Sequence, residues 1–211
     1  MEEEALEGEW MRLVAPYEVA PMLTETTWQE LHGAYTAPQR HYHTLAHVAA
    51  LLTYAKEFRS ALPDYDAVRF AIWFHDAVYN PLRNDNELRS AQQAIHFLQQ
   101  TRFESVRLQQ VAHWIRRTQR HQDREPNEPV ELHWFLAFDL AVLSASPAVY
   151  QRYAQQIRQE YRHVPDLLYK PGRRKVLEAF LNEPTLYRTA HFQQREAQAR
   201  ENLRAELEKL H

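Results

Sequence analysis

Residues 63–81 read PDYDAVRFAIWFHDAVYNP, and the fold class turns on this stretch. Pro63 and Asp64 form a helix start signal, since an aspartate can accept from the free N–H groups of a first turn. Val68, Phe70, Ala71 and Phe74 follow at helical spacing rather than in strand alternation. Asn80-Pro81 breaks the run, so the expected helix ends near Tyr79 and carries His75 and Asp76 in its last turns.

The same periodicity continues in both directions. Upstream, helices are expected over about 3–14, 24–35 and 44–58, with TAPQRHYH (36–43) as a loop. Downstream, they are expected over about 85–100 with Asn84 as cap, 104–118, 130–143, 147–161 opened by Ser146-Pro147, 171–181 opened by Pro171, and 189–210. A polar loop spans 120–129. No series of alternating β-branched strands bounded by hairpin turns is present, so the expectation is an all-α fold. No linker, internal repeat or low-complexity tract divides the chain, and residues 1–211 are read as one helical domain.

Composition narrows the chemistry. A 211-residue chain, 45% hydrophobic and 25% charged, suits one globular domain and excludes disordered and collagen-like classes. Its three glycines, Gly8, Gly33 and Gly172, cannot form a GxGxxG turn or a GxxxxGK[ST] phosphate cradle. With no cysteine there are no disulfides, thiolate nucleophiles or cysteine-ligated clusters, so any metal must rest on histidine and carboxylate. The net charge of -3 offers no general attraction to nucleic acid, although Arg116, Arg117, Arg120 and Arg124 form one basic stretch. The acidic opening MEEEALEGEW and the lack of an apolar run near ~20 residues give the expectation of a soluble, cytoplasmic protein without a membrane partner.

Twelve histidines stand out. His43 and His47 are four apart, which on a helix places them on one face; two surface imidazoles are the alternative. His75-Asp76 lies inside the apolar AIWFHDAVY, where both groups need partners, either a cation or each other. Asp139 is the lone acid in HWFLAFDLAVL, and a lone buried carboxylate needs a cation. Three helices thus offer two imidazoles and two carboxylates for one octahedral ion, with positions left for water and a substrate oxygen.

The order His47, His75-Asp76, Asp139 resembles the HD superfamily of metal-dependent phosphohydrolases. RHYHTLAHV, WFHDAVYNPLRNDNELRSA, FDLAVL and YRTAHFQQREAQARENLRAEL look like a bacterial subfamily of it, from about Arg40 to the C-terminus. The resemblance implies a helical bundle with a metal-site core over about 40–145, C-terminal helices over about 147–211 packed on it, and hydrolysis of a phosphoester or phosphoanhydride. Its expected substrate is a small phosphorylated molecule, most often a nucleotide. Relatives often read Asp-x-Asp at the last motif, whereas here Ala137-Phe138-Asp139 keeps only the second acid. His43-Thr44-Leu45-Ala46-His47 resembles the HNxxH segment of cyclic-nucleotide phosphodiesterases, which makes His47 a ligand and His43 a proton donor.

On this reading His47, His75, Asp76 and Asp139 hold one divalent ion, with Mn, Fe, Co, Ni, Mg and Zn not distinguished, which lowers the pKa of bound water toward ~7. Glu87 orients or deprotonates the water, or else completes a capping box with Asn84. Arg40 and the 170–175 cluster, with Lys170 and Arg173, are candidate phosphate ligands, and Tyr79 is the candidate pocket-lining aromatic. His113 and His121 leave room for a second metal. The alternatives are a di-iron oxygenase of the same superfamily, which needs those extra histidines, and a non-catalytic module in which the metal is a structural clamp. The polar last helix leaves a homo-oligomer open.

Overall fold

The computed structural model describes residues 3–210, and among them every regular element is helical. The α-helices are α1 (Glu3–Val14), α2 (Pro21–Tyr35), α3 (Leu45–Glu57), α4 (Tyr65–Phe74), α5 (Asn86–Leu98), α6 (Ser105–Arg117), α7 (Val130–Asp139), α8 (Pro147–Glu160), α9 (Asp166–Asn182), α10 (Ala190–Gln193) and α11 (Glu196–Glu208). Short 3-10 turns follow α1, α3, α6 and α7. The fold is all-α, as expected.

Helix α4 sits at the centre because its sequence leaves almost no polar face. Ala67, Val68 and every residue from Phe70 to Phe74 are buried, and the helix packs against α3, α5, α6 and α7. Asp64 starts it, with Oδ1 accepting the Ala67 N–H at 3.0 Å while both carboxylate oxygens take the Arg107 guanidinium at 2.8 and 2.7 Å. One aromatic cluster gathers Trp10 with Trp73 and Phe97, at centroid distances of 5.8 and 5.2 Å. A second stacks Phe58 on Trp134 at 4.6 Å and includes Phe138 and Phe192. Burying each such ring contributes on the order of 2–3 kcal/mol, and the two clusters lock the N- and C-terminal thirds onto α4 and α7.

Several boundaries differ from expectation. Helix α4 stops at Phe74, five residues before Tyr79, so His75 is its C-cap and Asp76 lies beyond it. The cause is Arg40, whose guanidinium donates to the carbonyls of Asp76 and Ala77 at 2.6 and 3.0 Å and draws them out of helical register. Helix α3 starts after Thr44, so His43 belongs to the preceding loop and the one-face geometry expected for His43 and His47 does not form. Helix α5 is preceded by Asp85 rather than Asn84; the Asp85 carboxylate is held by Arg83 and Arg89, and no side chain caps the helix. Helix α9 begins at Asp166 and runs through Pro171, and the expected last helix is divided into α10 and α11.

Among the described residues no single helix is long and apolar enough to cross a membrane. The apolar pair 130–144 and 147–160 is bent by 103°, and most of α7 is buried in the core.

Candidate metal centre

Three elements meet at one point. His47 comes from the first turn of α3, His75 from the C-cap of α4, and Asp139 from the last residue of α7. Their ligand atoms all lie within 4.8 Å of one another. His47 Nε2 is 3.2 Å from His75 Nε2 and 3.2 Å from Asp139 Oδ1, and His75 Nε2 is 3.7 Å from the same oxygen. Bonds of about 2.1 Å to a divalent ion place neighbouring ligands about 3.0 Å apart in an octahedron and about 3.4 Å apart in a tetrahedron. The spacings fit one cation.

The chemistry of the donors fits as well. His75 Nδ1 donates to the Ile72 carbonyl at 2.8 Å, which leaves Nε2 as the lone-pair nitrogen facing the cluster. Two imidazole nitrogens 3.2 Å apart tolerate each other only with a proton or a cation between them. Asp139 Oδ2 accepts from His121 Nε2 at 2.7 Å, which orients the carboxylate and leaves Oδ1 turned to the two rings. His47 and His75 are buried, while Asp139, Asp76 and His121 each keep 14% side-chain exposure, so the cluster is not fully sealed from solvent.

Asp76 stands next to this group rather than inside it. Its Oδ2 is 3.1 Å from His75 Nε2 and 3.8 Å from His43 Nε2, so it faces both rings. His43 is fixed from behind by Glu160. The Glu160 Oε2 pairs with His43 Nδ1 at 2.7 Å and accepts the Tyr79 hydroxyl at 3.0 Å. Its Oε1 accepts three successive backbone N–H groups, of His41, Tyr42 and His43, at 2.8, 2.8 and 3.0 Å. A run of N–H groups converging on one oxygen is a strong anion seat.

Electrostatics follow from these contacts. Burial lowers the His47 imidazole below its ordinary range, and Asp139 only partly compensates. Burial also works against the charged form of His75, but the facing carboxylates of Asp76 and Asp139 outweigh it and raise that group to about 9. For His43 burial is again overcome, by the charge of Asp76 and the bond to Glu160, and its pKa rises. Burial opposes the charge of Asp76 and Asp139, yet the surrounding histidines hold both below the usual carboxylate range. Glu160 is held down at about 2 against its burial, chiefly by His43 and the loop N–H groups. Glu87 moves the other way, raised by partial burial and by the charges of Asp76 and Asp139.

The remaining expected site residues scatter. Glu87 lies in the first turn of α5 and takes no part in a capping box with Asn84, since Asp85 occupies the cap position; its carboxylate sits within the field of the cluster. Tyr79 packs its ring 4.3 Å from that of His43 and lines a cavity of about 210 Å³ with Gln39, Tyr161 and Val164. Arg40, the expected phosphate ligand, is buried, its terminal Nη groups donating to the carbonyls of His43, Asp76 and Ala77 while its Nε has no hydrogen-bond partner. Arg173 is committed to Glu206 through a buried two-point pair at 2.7 and 3.0 Å. Lys170 lines a separate groove of about 300 Å³ between α8, α9 and α11, whose walls include no member of the metal cluster. The two histidines expected to serve a second metal are apart in function: His113 pairs with Glu125 at 3.3 Å, while His121 holds Asp139.

Glu160 was not among the residues singled out from the sequence. Its signal is positional: Tyr150, Ile157 and Glu160 share the buried stripe of α8 at helical spacing, and an acid on a buried stripe needs partners. Comparison with family models, with curated proteins and with solved structures returns no match.

Proposed function

We propose that the chain is a metal-dependent phosphohydrolase of the HD-superfamily kind, acting on a small phosphorylated molecule, with a nucleotide as the expected class. The observation that carries this reading is the convergence of His47, His75 and Asp139 from three helices, with the His75 tautomer set by the Ile72 carbonyl. His47, His75 and Asp139 would hold the cation, and Asp76 borders the same ring nitrogen of His75. A divalent ion bound there supplies Lewis acidity to a water and to a phosphoryl oxygen.

The chain's own groups do the rest. Glu87 accepts the proton of the attacking water as its oxygen bonds to phosphorus. His43, with Nδ1 engaged by Glu160 and Nε2 turned toward Asp76, gives a proton to the departing ester or anhydride oxygen as its bond to phosphorus breaks. Its elevated affinity for a proton suits a general acid near neutral pH. The di-iron alternative is disfavoured by His113, which is bound to Glu125.

The test is metal analysis of the purified chain coupled to hydrolysis assays over a panel of nucleotides and phosphoesters. The expected result is about one divalent ion per chain, activity abolished by chelation and restored by one metal, and neither property in Asp139→Asn. Full metal loading with no hydrolysis across the panel would overturn the assignment.

A further inference from the structure

A groove of about 310 Å³ is lined by the start of α3, the end of α7 and the turn after it, α8, and Arg195 at the cap of α11. Of the cluster's residues only His47 borders it. Tyr42 and Tyr54 form aromatic walls, the latter backed by the buried ring of Phe138 stacked on it at 5.8 Å, and Ala50, Val142 and Val149 complete an apolar lining. Such a volume, mostly apolar with a few converging polar groups, is that of a small-molecule site rather than a packing defect.

The polar groups at this groove lack protein partners to an unusual degree. The side-chain Nε2 of His41 is buried without a hydrogen bond. Among the described residues the hydroxyls of Tyr42 and Tyr54 and the Nδ1 of His47 also make none, although a metal-bound imidazole ordinarily donates its second N–H. Arg195 supplies a cation: it has no carboxylate partner among the described residues, and meets only His191 Nε2 at 2.9 Å and the Phe192 ring at 5.4 Å. Donors and a positive charge around an aromatic lining call for an acceptor that is negative and attached to a flat body.

We propose that this groove binds a small aromatic anion, its ring against Tyr42 and Tyr54 and its carboxylate or phosphate-like group on Arg195 and the edge of His41. The site adjoins the proposed hydrolytic centre, with His47 common to both, and its test does not depend on hydrolysis. An occupant that accepts from His47 Nδ1 also completes the outer hydrogen bonding of a metal ligand.

Phenylphosphonate and benzoate, neither of which is hydrolysable at a phosphoester, serve as probes by isothermal titration calorimetry on the full chain. A probe of about ten heavy atoms is expected to bind one site per chain with Kd on the order of 1 mM. Arg195→Leu and Ala50→Trp, the latter filling the groove from an exposed position, should each weaken binding at least tenfold, whereas Asp139→Asn should leave it within twofold. Tighter binding of one probe than the other identifies the preferred head group. Binding that survives both groove variants, binding lost in Asp139→Asn alone, or no saturable binding of either probe tighter than about 10 mM would each overturn the proposal.

Discussion

The ring of His75 works because its two nitrogens face different partners. Nδ1 donates to a carbonyl of its own helix, so Nε2 is the nitrogen left to face the cluster, and three further donor atoms lie within 3.7 Å of it. Removing one donor from such a group leaves too few to hold an ion, so His75→Ala and Asp139→Asn are expected to weaken divalent-metal binding at least 100-fold, as measured by calorimetry or metal analysis after dialysis. Glu160→Gln keeps the size of the side chain but sets an amide N–H₂ against His43 or the loop N–H groups. If His43 is the general acid, losing that negative charge lowers its pKa, and the alkaline fall in rate moves to lower pH, with kcat down about 10–100-fold. A merely structural role for Glu160 would lower the folded fraction and leave the pH profile in place. Asp139 stood out in the sequence because an acid alone in an apolar helix needs partners, and in the structure these are His121 and His47. The bonding of Arg40 was hidden for the opposite reason: its partners are backbone carbonyls, which every residue carries and no sequence pattern marks.

Helices were easier to foresee than their ends. The apolar spacing of α4 is unambiguous, but where it stops depends on Arg40 reaching across 36 residues to claim the Asp76 carbonyl, and on Ser90 accepting the Val78 N–H. Those are tertiary competitors for backbone groups, and local propensity is blind to them. The early stop matters, since it frees Asp76 from the helix and lets it face both His75 and His43. The other end of α4 gives a direct test. Asp64→Ala removes the cap and the two-point bond from Arg107, at a cost of about 2 kcal/mol, and the melting temperature should fall by roughly 4–8 °C in thermal denaturation. An unchanged melting temperature would mean that α4 is held by burial alone.

Across the molecule, charges tie the late helices to the early ones. Glu128 accepts from Arg117 at the end of α6 and from Arg188 ahead of α10, and these bonds hold its carboxyl at about 2 even though burial alone would raise it. A folded-state pKa below the ordinary 4.5 means that the contribution to stability is complete above 4.5 and is lost as pH falls toward 2. Glu128→Gln should therefore be less stable than the parent at neutral pH and show a flatter decline between pH 4.5 and 2, in a series of thermal melts. A parallel decline would show that other carboxylates govern acid unfolding.

The seat that Glu160 makes for residues 41–43 joins positions 119 to 117 residues apart. Asp139 and Glu160 both lie in the second half of the chain, so neither the His47–His75–Asp139 cluster nor the clamp on residues 41–43 can close until α7 and α8 have been made. The loop bearing His43 therefore has no anchor for its three N–H groups until α8 has packed against it.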